Sequence, residues 1–136
     1  MQTVKTDFDI NVDLGASNGT SLQGYVETTR AHLVHVFGDP AMDDPHSWDK
    51  VTTEWIIRFF DTDETIATIY DWKRYEEGPP AIHESYVWHI GGNSKRAVEL
   101  VCAQLEIPGQ THAERMDAFW KAVGAGSTNW KEKGTK

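Results

Sequence analysis

The stretch His89-Ile90-Gly91-Gly92-Asn93-Ser94-Lys95-Arg96 gathers more usable chemistry than any other part of the sequence. A strand-like run ends in two glycines and passes into a helix start that carries two adjacent cations. Free N–H groups at a helix start favour anions, glycines let a ligand approach the backbone, and Lys95 or Arg96 would add charge-assisted hydrogen bonds. The spacing is not that of a phosphate loop, so a plain strand-to-helix turn is the competing reading. Tyr70, Trp72 and Lys73 close one strand-like run, and Tyr86, Trp88 and His89 lie in the next. Together they would give an aromatic surface beside the glycine corner, able to stack on a base or anchor a protein. The candidate binding set is Tyr70, Trp72, Lys73, Trp88, His89, Gly91, Gly92, Asn93 and Arg96. Against it stands the reading in which Trp55, Trp72 and Trp88 are core residues of a small sheet.

Other constellations are weaker. A hydrolase-like enzyme would use His89 as general base, Asp71 or Glu54 to orient it, and Arg58 or Arg96 to hold an anion. Nothing in the spacing requires that set, and the sequence is read as that of a non-enzymatic protein without a cofactor. His32 and His35 lie three apart with no Cys or His cluster to complete a metal site, so no metal is expected. The lone Cys102 falls in an apolar helical stripe, where a buried, inert thiol is expected. Asp39, Asp43, Asp44 and Asp49, with Pro40 and Pro45 among them, mark residues 39–50 as an exposed acidic loop, either merely solvated or an electronegative face for a basic partner.

The elements that would position these groups can be read from periodicity. Phe8, Ile10, Val12 and Leu14 alternate with polar residues as in a half-buried strand. Thr20 and Gln23 fit a capping box, and Leu22, Tyr25, Val26, Leu33, Val34 and Phe37 predict a helix over about 22–37 that Gly38 and Pro40 stop. Residues 51–60 and 65–72 read as a β-hairpin, with Trp55, Ile57 and Phe59 on one face and Glu54, Ile56, Arg58 and Phe60 on the other. A fourth strand spans 84–90, and Gly91 and Gly92 are expected to break it. Asn93 or Ser94 is placed to cap a second helix bearing Val98, Val101, Cys102 and Leu105. Thr111 and Glu114 form another capping box, ahead of Met116, Phe119, Trp120 and Val123 at helical spacing. The order β-α-β-β-β-α-α predicts an α+β domain, a mainly antiparallel sheet of about four strands with helices packed on it.

The 136 residues suit one domain, here 1–124, followed by a Gly-, Ser- and Lys-rich tail over 125–136 that is expected to be flexible. Thirteen Lys and Arg against 21 Asp and Glu leave a net charge of −8, which disfavours nonspecific nucleic-acid binding. The charge is uneven: residues 1–90 hold 6 basic and 16 acidic side chains, and 91–136 hold 7 and 5. A single cysteine suits a reducing compartment, and neither a membrane-spanning run nor a signal-peptide pattern is visible. A soluble, cytoplasmic protein is expected, and apolar positions such as Ile56 and Phe60 would need cover from a homodimer or higher oligomer.

Four motifs in order, Phe37-Gly38-Asp39-Pro40, Asp49-Lys50-Val51-Thr52-Thr53-Glu54-Trp55, Ala67-Thr68-Ile69-Tyr70-Asp71-Trp72-Lys73 and Trp88-His89-Ile90-Gly91-Gly92, resemble a family of small tailed-bacteriophage proteins without an established activity. The likeness covers roughly residues 20–101. The hairpin turn, typically a short Asp-Gly-Thr in that family, here reads Asp61-Thr62-Asp63-Glu64-Thr65. The resemblance carries over no catalytic residue. It implies an accessory protein in the cytoplasm of an infected bacterium, binding a host component without catalysis in host takeover or counter-defence. A sponge that sequesters a nucleotide signal through Trp72, Trp88 and the Gly91–Arg96 corner is the alternative.

Overall fold

The computed structural model describes residues 5–10, 15, 19–44, 50–74 and 77–126. Its elements are β1 (Phe8–Ile10), β2 (Ser21–Thr28), α1 (Arg30–Phe37), β3 (Met42–Asp43), β4 (Thr53–Phe59), β5 (Ile66–Tyr70), β6 (Tyr86–Gly92), α2 (Arg96–Leu105), β7 (Gln110–Thr111) and α3 (His112–Gly126). The fold is α+β. Its seven strands run in the order β1-β4-β5-β6-β2-β7, every pair antiparallel, with β3 and β1 sharing the outer edge of β4. The sheet is thus wider than the four strands expected.

The hairpin is present as β4 and β5, because β-branched and aromatic residues dominate both strands and the turn closes through Asp61, which accepts from Thr65 N at 2.7 Å and from Thr65 Oγ1 at 2.7 Å. The alternation puts Trp55, Ile57 and Phe59 of β4, Ala67 and Ile69 of β5, Trp88 and Ile90 of β6 and Val26 of β2 on one face. Leu33 and Phe37 of α1 and Ala97, Val98, Val101 and Leu105 of α2 close over that face and complete the core. Trp55 and Trp88 meet edge to face there, ring centroids 5.6 Å apart. Their indole N–H groups leave the core as donors, Trp55 to Gly38 O at 2.8 Å and Trp88 to Thr28 O at 3.2 Å. Both ends of α1 are tied down in this way.

The expected helix over 22–37 is half strand. Its first part is β2, held between β6 and β7, and Gln23 does not cap a helix but donates to Gly92 O at 3.0 Å. The apolar spacing of Leu22, Tyr25 and Val26 fits a helical turn, but pairing along the whole of β6 satisfies more backbone groups than one turn could. The helix begins instead at Arg30, with Thr29 Oγ1 accepting from His32 N at 3.1 Å, and stops as expected at Gly38, whose φ is 80°. The alternation of Phe8 and Ile10 is realised in β1, whereas Val12 and Leu14, like the tail beyond 126, lie outside the described residues.

Within the stretch expected as an acidic loop, residues 42–43 pair with Thr53 and Glu54 of β4, and Asp43 forms an ion pair with Arg30. Asp39, Asp43 and Asp44 are exposed, and Asp49 is outside the described residues. Ile56, expected to need an oligomer's cover, is 1% exposed in the single chain, whereas Phe60 is 49% exposed. Among the described residues no helix is long and apolar enough to cross a membrane.

The N-cap assignment is testable. Thr29→Ala is expected to lower unfolding free energy by about 1 kcal/mol in urea titration, since it leaves the His32 N–H without its partner.

Candidate functional site

The face of the sheet opposite α1 and α2 carries a row of directly paired side chains crossing six strands: Met42, Glu54, Tyr70, His89, Tyr25 and Gln110. Paired residues of antiparallel strands share a face, so this row follows from the register alone. At its centre the imidazole of His89 stacks on the Tyr70 ring at 5.4 Å and 28°, and meets the Tyr25 ring edge-on at 5.1 Å. Trp72, two residues beyond Tyr70 and 37% exposed, lies 5.7 Å from the His89 ring and 6.1 Å from that of Tyr70. The first turn of α3 closes the other end. His112 Nδ1 is 2.8 Å from Tyr25 Oη, and the Arg115 guanidinium sits 4.6 Å over the Tyr25 ring. A cleft of about 170 Å³ opens beside it, lined by Tyr25, Glu27, Val87, Gln110 and Arg115 among others.

His89 Nδ1 is buried without a hydrogen-bond partner. Burial, with the nearby Arg115 charge adding to it, pushes the imidazole down from 6.5 to about 4, so His89 is neutral at pH 7. The carboxyl of Glu54 is pushed up, first by burial and then by the Asp71 charge. Asp71 does not orient His89. It is fully buried and accepts from Thr52 N at 2.8 Å, Thr53 N at 3.0 Å and the Thr52 hydroxyl. Cys102 is buried as expected, which pushes its thiol up to about 11. Among the described residues no group of three His, Cys, Asp or Glu side chains is placed to hold a metal, and His32 Nδ1 pairs with Thr28 Oγ1 at 2.9 Å.

The structure brings together Tyr70, Trp72, Lys73 and His89 from the expected binding set, with Gly91 beside the Tyr70 ring, and separates Trp88, Gly92, Asn93 and Arg96 from them. Trp88 is fully buried on the opposite face. Gly91 and Gly92 do not break the strand: they pair with Thr68 and Ala67 of β5 and with Leu22 and Ser21 of β2. Both glycines are needed for close approach. A Cβ on Gly91 would lie 2.5 Å from Thr68 Oγ1, and one on Gly92 would lie 2.6 Å from Ala97 Cβ, where α2 crosses the sheet. Asn93 Oδ1 accepts from Ile66 N at 3.1 Å rather than capping α2, and Ser94 Oγ accepts from Arg96 N at 3.3 Å. The Arg96 guanidinium turns to Asp61, Nε to Oδ2 at 2.9 Å. Arg58 pairs with Asp9 at 3.3 Å, four residues along β4 from Glu54, about 13 Å at strand rise.

Sequence reasoning missed Tyr25, His112 and Arg115, and also Lys50, whose Nζ lies 5.7 Å from the Trp72 ring centroid. The apolar spacing reads Tyr25 as helical, and the others join the site only through the Lys73 N to Lys50 O bond or the docking of α3, which no local pattern encodes. No family model, curated protein or solved structure matches the chain.

Because the folded-state value of His89 lies below its unfolded value, this group favours the fold above pH 6.5 and loses that contribution as pH falls from 6.5 through about 4. The His89→Phe variant is expected to show a smaller drop in Tm between pH 7 and pH 4 than the parent chain, and the His89 ring protons are expected to titrate near pH 4 by NMR.

Proposed function

We propose that the chain acts by stoichiometric, non-catalytic binding of a protein partner, with α3 as the anchor. One observation carries this reading: Met116, Phe119 and Trp120, at i, i+3 and i+4 of α3, are 36%, 50% and 53% exposed. The helix itself is well founded. Its capping box forms as expected, with Thr111 N donating to Glu114 Oε1 at 2.8 Å and Glu114 N to Thr111 Oγ1 at 3.1 Å. Yet every side chain from His112 to Ala122 is exposed, and α3 meets the rest of the fold at β2 and β7. Large aromatic anchors at this spacing on one helix face are what a helix lays into an apolar groove of a partner.

The surroundings of that face narrow the partner. At helical spacing Arg115 and Asp117 border it on its two sides, with Lys121 already paired to Asp117 at 3.0 Å, and the whole chain is at −8. An apolar groove on a basic partner complements a chain of this net charge and would be reached faster at low salt. The resemblance to tailed-phage proteins supports a host component as that partner, in host takeover or counter-defence, within the cytoplasm of an infected bacterium.

A Phe119→Asp/Trp120→Asp double variant is expected to lose a partner that the parent chain retains at fixed stoichiometry, with stability changed by about 0.5 kcal/mol or less because both rings are already half exposed. Native mass spectrometry of the complex purified from host cells reads both the partner and the number of copies. Retention of the same partner by the double variant overturns the reading. A homo-oligomer that the double variant disperses, with no other protein bound, assigns the α3 face to a second copy of the chain and overturns the host-partner reading.

A further inference from the structure

The end of β5 holds a second feature that the α3 reading does not use. Trp72 is exposed beyond the Tyr70–His89 stack, and two ammonium groups lie over its ring, Lys50 Nζ at 5.7 Å and Lys73 Nζ at 5.8 Å from the centroid. Both lysines are exposed. They are locked to one end of the hairpin by a backbone bond, Lys73 N donating to Lys50 O at 2.6 Å. The same end is fixed from beneath by the buried Asp71 carboxylate, which joins the chain at 71 to Thr52 and Thr53.

Two features of this bay are not explained by folding. In a chain of net charge −8, with 16 acids against 6 bases in its first ninety residues, two cations converge on one aromatic ring. Lys73 also has a φ of 54°, in the left-handed region, which is strained for a lysine and unstrained for glycine. A strained non-glycine residue whose side chain returns to an exposed ring is a reason to look for a ligand there.

We propose that Trp72, Lys50 and Lys73, backed by Tyr70 and His89, bind a nucleoside phosphate, with the base stacked on Trp72 and the phosphate held between the two ammonium groups. The cation–π contacts now made by the lysines are weak at an exposed site, so exchanging them for charge-assisted bonds to a dianion is favourable. Stacking on an aromatic side chain supplies the second half of the recognition. The neutral imidazole of His89, flush against Tyr70 and 5.7 Å from the Trp72 ring, extends the platform without adding charge. This site replaces the arrangement expected from the sequence, in which Trp88 and the Gly91–Arg96 corner shared the work: Trp88 is in the core, and Arg96 is paired with Asp61. None of its binding residues belongs to α3, so each proposal is tested by its own variants.

The test is isothermal titration calorimetry of the full chain with AMP, adenosine and inorganic phosphate. AMP is expected to bind saturably and at least about tenfold more tightly than adenosine or phosphate, because only AMP presents both ring and charge. Two variants locate the binding. Lys73→Gly relieves the positive φ, so it is expected to keep or raise Tm while weakening AMP about tenfold through loss of one cation. Trp72→Leu keeps both cations and is expected to bind AMP no better than phosphate. Absence of binding heat at about 5 mM AMP, beyond which any Kd exceeds the millimolar range, overturns the proposal. So does AMP affinity unchanged in Lys73→Gly, or phosphate bound as tightly as AMP by the parent chain.

Discussion

The buried carboxylate of Asp71 holds the working end of the sheet in place. A carboxyl group taken fully out of water is costly unless donors compensate it, and here the Thr52 and Thr53 N–H groups and the Thr52 hydroxyl do so. These bonds join the entry of β4 to the exit of β5 at the point where regular pairing stops. Without the carboxylate two buried N–H groups would lose their acceptor, a loss of about 3 kcal/mol. Lys50, Trp72 and Lys73 are all within two residues of these anchors. The geometry of the exposed bay therefore derives from a group that is itself inaccessible.

The sheet separates two kinds of chemistry. On the face under α1 and α2 the tryptophans are structural, and their N–H groups serve the backbone at the two ends of α1. The opposite face carries the row from Glu54 to Tyr25, in which polar groups are half-buried against aromatic rings rather than fully hydrated. Desolvation dominates there, raising the Glu54 carboxyl and the Tyr70 phenol while lowering the His89 imidazole. All three shifts favour the neutral form. The Tyr70–His89 centre of the row is an uncharged aromatic platform at pH 7, and Glu54, Arg115, Lys50 and Lys73 stand around it.

Elements determined by local sequence were legible and those determined by pairing were not. The Thr111–Glu114 box, the Gly38 stop and the β4–β5 hairpin each rest on residues within a few positions of one another. Residues 21–28 carry helical spacing and strand composition together, and only β6, some sixty residues later, decides between them. Gly91 and Gly92 read as breakers for the same reason: what requires glycine there is Thr68 across the ladder and Ala97 on α2. Trp72 and Trp88 looked alike in sequence because alternation gives sides within one strand, and register is needed to relate the sides of two. The candidate site was accordingly half legible. Its aromatic members were identified, and the partners contributed by β2, by α3 and by Lys50 were not.

Tyr25 is where the two proposed surfaces meet. Its ring contacts His89 on the sheet and is covered by Arg115, while its hydroxyl reaches His112. Both α3 residues belong to the first turn, and the capping box fixes that turn against β7, which pairs with Tyr25 in its own right. A helix held at one end takes its direction from its first contacts, so the orientation of Met116, Phe119 and Trp120 is set by how His112 and Arg115 seat on Tyr25. The same ring walls one side of the His89 platform. The residue that the sequence placed in the first turn of a helix is the one through which the sheet positions both its aromatic face and its exposed helix.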